Sequence, residues 1–175
     1  MRRLLPLLLL VAGCTATPVA TPAPTTTTTT TTETTVITTS PRIDTPKKLP
    51  PDPCELLAST DFDTPLVRPP TLRRDLPRTC EFREGTGVAS DMVVLVSFGE
   101  IYLKPPDAPE MLIEGHSTAI MFTNRAGVNG CGYVVAVNAN ESFMVLVNLP
   151  NANSSQLSQI ALGKTQKAFK RLVTT

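Results

Sequence analysis

The chain has 175 residues, with 16 Lys and Arg against 15 Asp and Glu and a formal net charge of +1. That balance excludes the strongly basic footprint of a nucleic-acid binder. Tryptophan is absent, tyrosine occurs twice and histidine once, which leaves little for a large aromatic stacking site and confines imidazole chemistry to one position.

Met1-Arg2-Arg3 leads into the apolar run Leu4–Val11, interrupted by Pro6. A charged start ahead of a short apolar stretch reads as a secretory signal peptide. The run is too short to cross a hydrocarbon core of about 30 Å as a helix. At its end, Val11-Ala12-Gly13-Cys14 resembles the bacterial lipobox. That resemblance implies cleavage before Cys14, a diacylglycerol on its sulfur and acylation of the new amino terminus. At about 0.8 kcal/mol per buried methylene, one chain holds a protein marginally on a bilayer and two or more hold it durably. The expected location is therefore the extracytoplasmic side of the cell membrane, with the lipid bilayer as partner through Cys14.

Beyond Cys14 the composition shifts. Thr25–Thr32 is unbroken threonine, prolines recur on both sides, and there is little apolar surface to bury. Such a stretch cannot offset its conformational entropy with a core. Segments of this kind act as extended stalks, bare or O-glycosylated, and at about 3 Å per residue this one would reach on the order of 100 Å. The expected organisation is a lipoprotein signal peptide at 1–13, the lipidated cysteine and a disordered Thr/Pro-rich linker at 14–50, and an extracytoplasmic domain at 51–175.

In the domain, Asp52-Pro53-Cys54-Glu55 predicts a helix start. Asp52 is placed to cap, Pro53 suits the first turn, and Glu55 completes a capping-box spacing. The helix is predicted to run to Ser59 or Thr60, and the prolines from Thr64 to Pro77 break regular structure. Strands are predicted at Thr79–Arg83, Met92–Phe98, His116–Thr123, Gly132–Val137 and Phe143–Leu149, the last two as a hairpin turning at Asn138–Glu141. A final helix, capped by Asn153 or Ser154, carries Leu157, Ile160, Ala161, Ala168 and Leu172 at helical spacing. Lys164, Lys167, Lys170 and Arg171 are predicted on its solvated side, where they also suit the helix dipole. The order predicts an α+β fold: an antiparallel sheet of about four to five strands with an N-terminal and a C-terminal helix packed on it.

Cys54, Cys80 and Cys131 remain in the mature domain. In an oxidising compartment a disulfide is expected, and three thiols cannot all pair within one chain. A Cys54–Cys80 bridge would close a loop of about 25 residues, worth on the order of 3 kcal/mol in the chain-entropy account.

Asp52-Pro53-Cys54-x-Leu56-Leu57, Thr79-Cys80-Glu81-Phe82, Glu114-Gly115-His116-Ser117 and Cys131-Gly132-Tyr133-Val134 together resemble a mycobacterial-type (actinobacterial) lipoprotein family of unknown function. Its features are a lipobox, a low-complexity tether, an Asp-Pro-Cys helix start and a Cys-x-aromatic strand. The resemblance implies an extracytoplasmic place and supplies no activity. A fourth cysteine usual in that family before the last helix is missing from Pro150–Ser154, which implies that Cys131 is a free, buried thiol. Phe82 stands where tryptophan is common.

No nucleophile elbow, metal-binding helix or phosphate-cradling loop occurs in the sequence. His116 and Ser117, adjacent in a strand, point to opposite faces. The acidic pairs Asp61 with Asp63 and Asp107 with Glu110 fall in loops, so no metal site and no cofactor are expected. The leading expectation is a non-catalytic binding or adaptor module of the cell envelope, whose partner is an envelope protein or a small apolar ligand. The alternatives are an envelope hydrolase using His116 or Cys131, which would have to share one cleft within hydrogen-bond reach, and a structural surface protein.

Overall fold

The computed structural model describes residues 40–175. The signal peptide, Cys14 and the tether to residue 39 lie outside the described residues. Strands in chain order are β1 (Lys47–Lys48), β2 (Thr71–Leu72), β3 (Thr79–Glu84), β4 (Met92–Gly99), β5 (Glu110–Ile113), β6 (His116–Arg125), β7 (Val128–Asn138), β8 (Glu141–Asn148) and β9 (Val173–Thr174). The single α-helix among the described residues, α1, spans Ser154–Lys170.

The architecture corrects the α+β expectation of a small sheet carrying two helices. The protein is mostly β, with a seven-stranded sheet in the order β2-β3-β4-β8-β7-β6-β5 and a two-stranded β1-β9 ribbon, all pairs antiparallel. The predicted N-terminal helix is only a 3-10 turn at Pro53–Leu56, followed by another at Ser59–Asp61. Asp52 does cap, accepting from the Cys54 N–H at 2.8 Å. However, Leu57 is extended, and Leu56 and Leu57 are the last large apolar residues before Phe62. One turn cannot recover the cost of helix nucleation by itself, and the two leucines bury against the sheet instead.

The sheet is larger than predicted because tight turns join strands where no Asn-Gly or Asp-Gly signal stands. Ala126 (φ 51) with Gly127 (φ 80), and Glu114 (φ 47) with Gly115 (φ 83), take left-handed conformations at both central positions, the type I′ geometry that matches strand twist. These turns let β6 run on to Arg125, start β7 at Val128 and add β5.

Residues paired across strands share a face of the sheet, so the register sorts the side chains. One face carries Phe82, Val94, Val96, Val145, Val147, Tyr133 and Val135, all buried. Helix α1, capped by Asn153 accepting from the Gln156 N–H at 2.9 Å, lays Leu157, Ala161, Ala168 and Phe169 on this face, and the Leu56–Leu57 segment closes the β3 side. Ser40–Pro50, the last part of the stretch read as linker, runs along the domain. Ile43 bridges to His116, Leu49 is buried, and β1 pairs with the carboxyl-terminal β9.

Candidate functional site

Cys54 and Cys80 form a disulfide that joins the first 3-10 turn to β3. Cys131, on β7, is free and buried. Burial pushes its thiol up to about 11, with the neighbouring Ser158 hydroxyl acting the other way. That is the reverse of an activated nucleophile, whose pKa must fall for the thiolate to be available. His116 is also fully buried. Its Nδ1 lies 2.7 Å from the Ala136 carbonyl, its ring meets Phe169 edge-on at 4.7 Å between centroids, and its Nε2 has no partner among the described residues. Cys131 pairs with Phe122, which lies about 20 Å along β6 from His116 at strand rise. The structure therefore does not bring the two together, and the hydrolase alternative lacks the shared cleft it required. Among the described residues, no cluster of three or more His, Cys, Asp or Glu side chains gathers as for a metal ion.

The second face of the sheet has a different character. Register places Val93, Leu95, Leu146, Met144, Val134 and Met121 on it. All are half-buried, and none belongs to or packs against the core cluster under α1. A Cβ on Gly132 would lie 3.3 Å from Leu146 Cδ1, so Leu146 leans over the shallow furrow that Gly132 leaves between β8 and β6.

One end of this face is covered, by the connection from β4 to β5. The Ile101 carbonyl accepts from Ser142 Oγ at 2.8 Å. Small side chains occupy this end of the sheet, Ala136, Ala119, Ser117 and Ser142, all buried. Tyr102 turns inward, and burial, then the nearby Glu110 carboxylate, push its phenol above the ordinary range. Ile101 and Leu103 point outward and are exposed. On the β3 side a charged rim closes the patch. Glu81 accepts from Arg68 Nη2 at 2.7 Å and from Arg73, which also clasps Asp75. The result is an apolar strip on rigid strands, bordered by ion pairs on one side and a proline-rich crossing at one end.

The family described as Protein of unknown function (DUF3558) matches residues 9–160. The chain belongs to this DUF3558 family. No curated protein and no solved structure matches it. The match spans the disulfide, all seven strands of the large sheet and the first turns of α1, so the open face of this DUF3558 chain lies within the matched segment.

No local sequence motif singles out the residues of the open face. The available signal was in β4, where Met92–Phe98 lacks the apolar–polar alternation of a strand with one wet face. That pattern marked both faces as apolar without telling which face would remain without a covering element. Lys164 was missed for a related reason. The basic cluster predicts it on the solvated side of α1, yet it is buried, with its Nζ donating to the Asp61 carbonyl at 2.7 Å and lying 3.3 Å from Glu84 Oε2.

Proposed function

We propose that this chain is a lipid-anchored extracytoplasmic lipoprotein that works as a non-catalytic binding or adaptor module of the cell envelope, with the open sheet face as its docking surface. The observation that carries the binding role is the apolar strip Val93, Leu95, Met121, Val134, Met144 and Leu146, which lies outside the core on a rigid sheet. Contiguous apolar surface bordered by polar groups marks interaction sites more often than inert surface. An envelope protein or an apolar ligand would find hydrophobic area there, with Arg68, Arg73 and Glu81 at the rim for orientation.

The anchor reading rests on the lipobox-like Val11-Ala12-Gly13-Cys14 behind the charged start. A disulfide in the folded domain supports an oxidising compartment. Among the described residues no helix is long and apolar enough to cross a membrane. Two measurements test the reading. Detergent phase partitioning should send the wild-type chain to the detergent phase and Cys14→Ser to the aqueous phase, and a variant that stays membrane-bound and normally processed would end the anchor account. A photo-crosslinking residue at Leu95 should label a reproducible envelope component in native membranes, and labelling should be lost with Leu146→Lys. Labelling that is absent, or indifferent to Leu146, rejects the docking face.

A further inference from the structure

The edges of the large sheet are treated unequally. At one end β2 is two residues long, flanked by Pro69-Pro70 and Pro77, with Arg68 and Arg73 tied to Glu81 alongside. Short strands, prolines and charges are the usual guards against edge pairing. At the other end β5 pairs only with residues 116–119 of β6, and Pro109 adds one bond by accepting from the Ile120 N–H at 3.0 Å. From Met121 to Arg125 the outer edge of β6 has no strand paired to it among the described residues, although the loop 105–109 flanks Met121–Thr123 across a groove. No proline or lysine lies in that segment, and Phe122, in its middle, is 54% exposed.

Main-chain groups in an antiparallel ladder alternate between the two neighbouring strands. The Ile120 N–H points outward to Pro109, so Phe122 and Asn124 also direct their N–H and C=O groups outward. We propose that this edge pairs with the same edge of a second copy of the chain, antiparallel about a two-fold axis at Thr123. In that register Phe122 faces the partner's Asn124 and Asn124 faces its Phe122, so every outward donor and acceptor of these residues is satisfied. The pairing length matches its limits. The Ala126-Gly127 turn ends β6 where Pro109 begins to occupy the edge, so each copy's turn abuts the other's proline. Charge is complementary as well. Asp107 and Met121 line one groove, of about 410 Å³, beside Phe122, and the residue placed opposite Met121 is the partner copy's Arg125. This fits a second copy better than an unrelated strand, because the arginine arrives at the exposed Asp107 carboxylate from the symmetry alone. Closed two-fold pairing of this kind is the commonest form of association. The contact belongs to the small class of interface, below about 1,200 Å², so reversible exchange is expected.

The register makes a sharp test. Thr123 opposes itself in a non-hydrogen-bonded pair, where Cα atoms stand about 4.5 Å apart, inside the range of about 4.4–6.8 Å that a disulfide spans. The full chain carrying Thr123→Cys, held in detergent micelles and oxidised with copper phenanthroline, should convert to a disulfide-linked dimer. The wild type, with its own cysteines, and Val88→Cys, an exposed control thiol on the β3–β4 loop, should not. Sedimentation equilibrium of the wild type should show monomer–dimer exchange. Asn124→Pro, which removes an edge N–H, should abolish it with the circular dichroism spectrum unchanged. If that variant unfolds, the Thr123→Cys result decides alone. A wild type that sediments as a monomer throughout, cross-linking of Thr123→Cys no faster than Val88→Cys, or cross-linking in membranes only to a different protein would each overturn the pairing. None of these outcomes depends on the docking face, which lies on the surface of the sheet and not on its edge.

Discussion

Lys164 shows how one side chain can reverse the reading of a helix. The clustering of Lys164, Lys167, Lys170 and Arg171 predicts a solvated basic face, and Lys167 and Lys170 are exposed as expected. Lys164 instead turns under the 3-10 segment, its ammonium 4.2 Å from the centre of the Phe62 ring. Glu84, its carboxylate partner, also accepts from the Thr64 N–H at 2.7 Å. Taking two charges out of water costs several kcal/mol per ion, and only close pairing with further hydrogen bonds offsets it. Removing one partner strands the other, so Lys164→Met is expected to lower the unfolding free energy by about 3 kcal/mol or more in urea titrations. Adding Glu84→Gln to it should restore part of that loss. A single-variant loss below about 0.5 kcal/mol, the scale of an exposed pair, would show that the pair is solvated. Glu81 gives a pH signature on the open face. Burial acts to raise its pKa, but the hydrogen bonds from Arg73 and Arg68 outweigh it and hold the carboxyl below the ordinary 4.5. A depressed folded pKa contributes stability that is present above the unfolded value and is lost as pH falls through the folded one. Acid titration of unfolding should therefore steepen below about pH 4.5 in the wild type, and Glu81→Gln should flatten that limb; equal slopes would mean that the two arginines do not hold the carboxylate in solution.

At the level of elements, what the sequence reveals depends on whether the signal is local. The strands Thr79–Glu84, Met92–Gly99 and Glu141–Asn148 were legible because β-branched runs bounded by turn residues carry their own propensity. Helix α1 was legible from its cap and apolar spacing. The N-terminal helix was not, because its cap chemistry is real while the apolar face needed to hold a helix is missing. The added strand β5 and the lengthening of β6 and β7 depend on φ > 0 at Glu114 and Ala126, residues that do not advertise that conformation. Pairing order is a long-range property, so no local pattern could place β4 next to β8. The two-faced character of β8 supplies a test within one strand. Val145 is buried under α1 and its neighbour Leu146 points to the open face. Deleting buried methyl groups costs transfer free energy and leaves a cavity, so Val145→Ala should destabilise by about 2 kcal/mol. Leu146→Ala removes more atoms yet should cost about 1 kcal/mol or less, because that face is only half removed from water. Reversal of that order in denaturant midpoints would mean that something covers Leu146 in solution.

Across the whole molecule, covalent and non-covalent fastenings converge on the segment that precedes β3. Residues 49–62 present little regular structure, yet they supply Leu49, Leu56, Leu57 and Phe62 to the core. The Cys54–Cys80 bridge, Lys164 and the pairing of Phe62 with Phe82 at 5.4 Å between ring centroids hold them there. A segment with few ladder hydrogen bonds would otherwise open first, because local stability follows buried contacts and backbone pairing. The bridge joins residues 26 apart, and restricting a loop of that size in the unfolded chain is worth on the order of 3 kcal/mol in the chain-entropy account. Reduction, or Cys54→Ser with Cys80→Ser, should lower the unfolding free energy by about that amount and speed hydrogen exchange first in residues 49–62, before the β4, β7 and β8 strands. Cys131 should resist alkylation near neutral pH until the whole sheet unfolds, since both its burial and its raised pKa disfavour the thiolate. Simultaneous exchange of the 49–62 segment and the central strands after reduction would contradict this account. It would mean that α1 and the strands cannot stand without the bridge, and that the disulfide secures the entire fold and not the edge of the core alone.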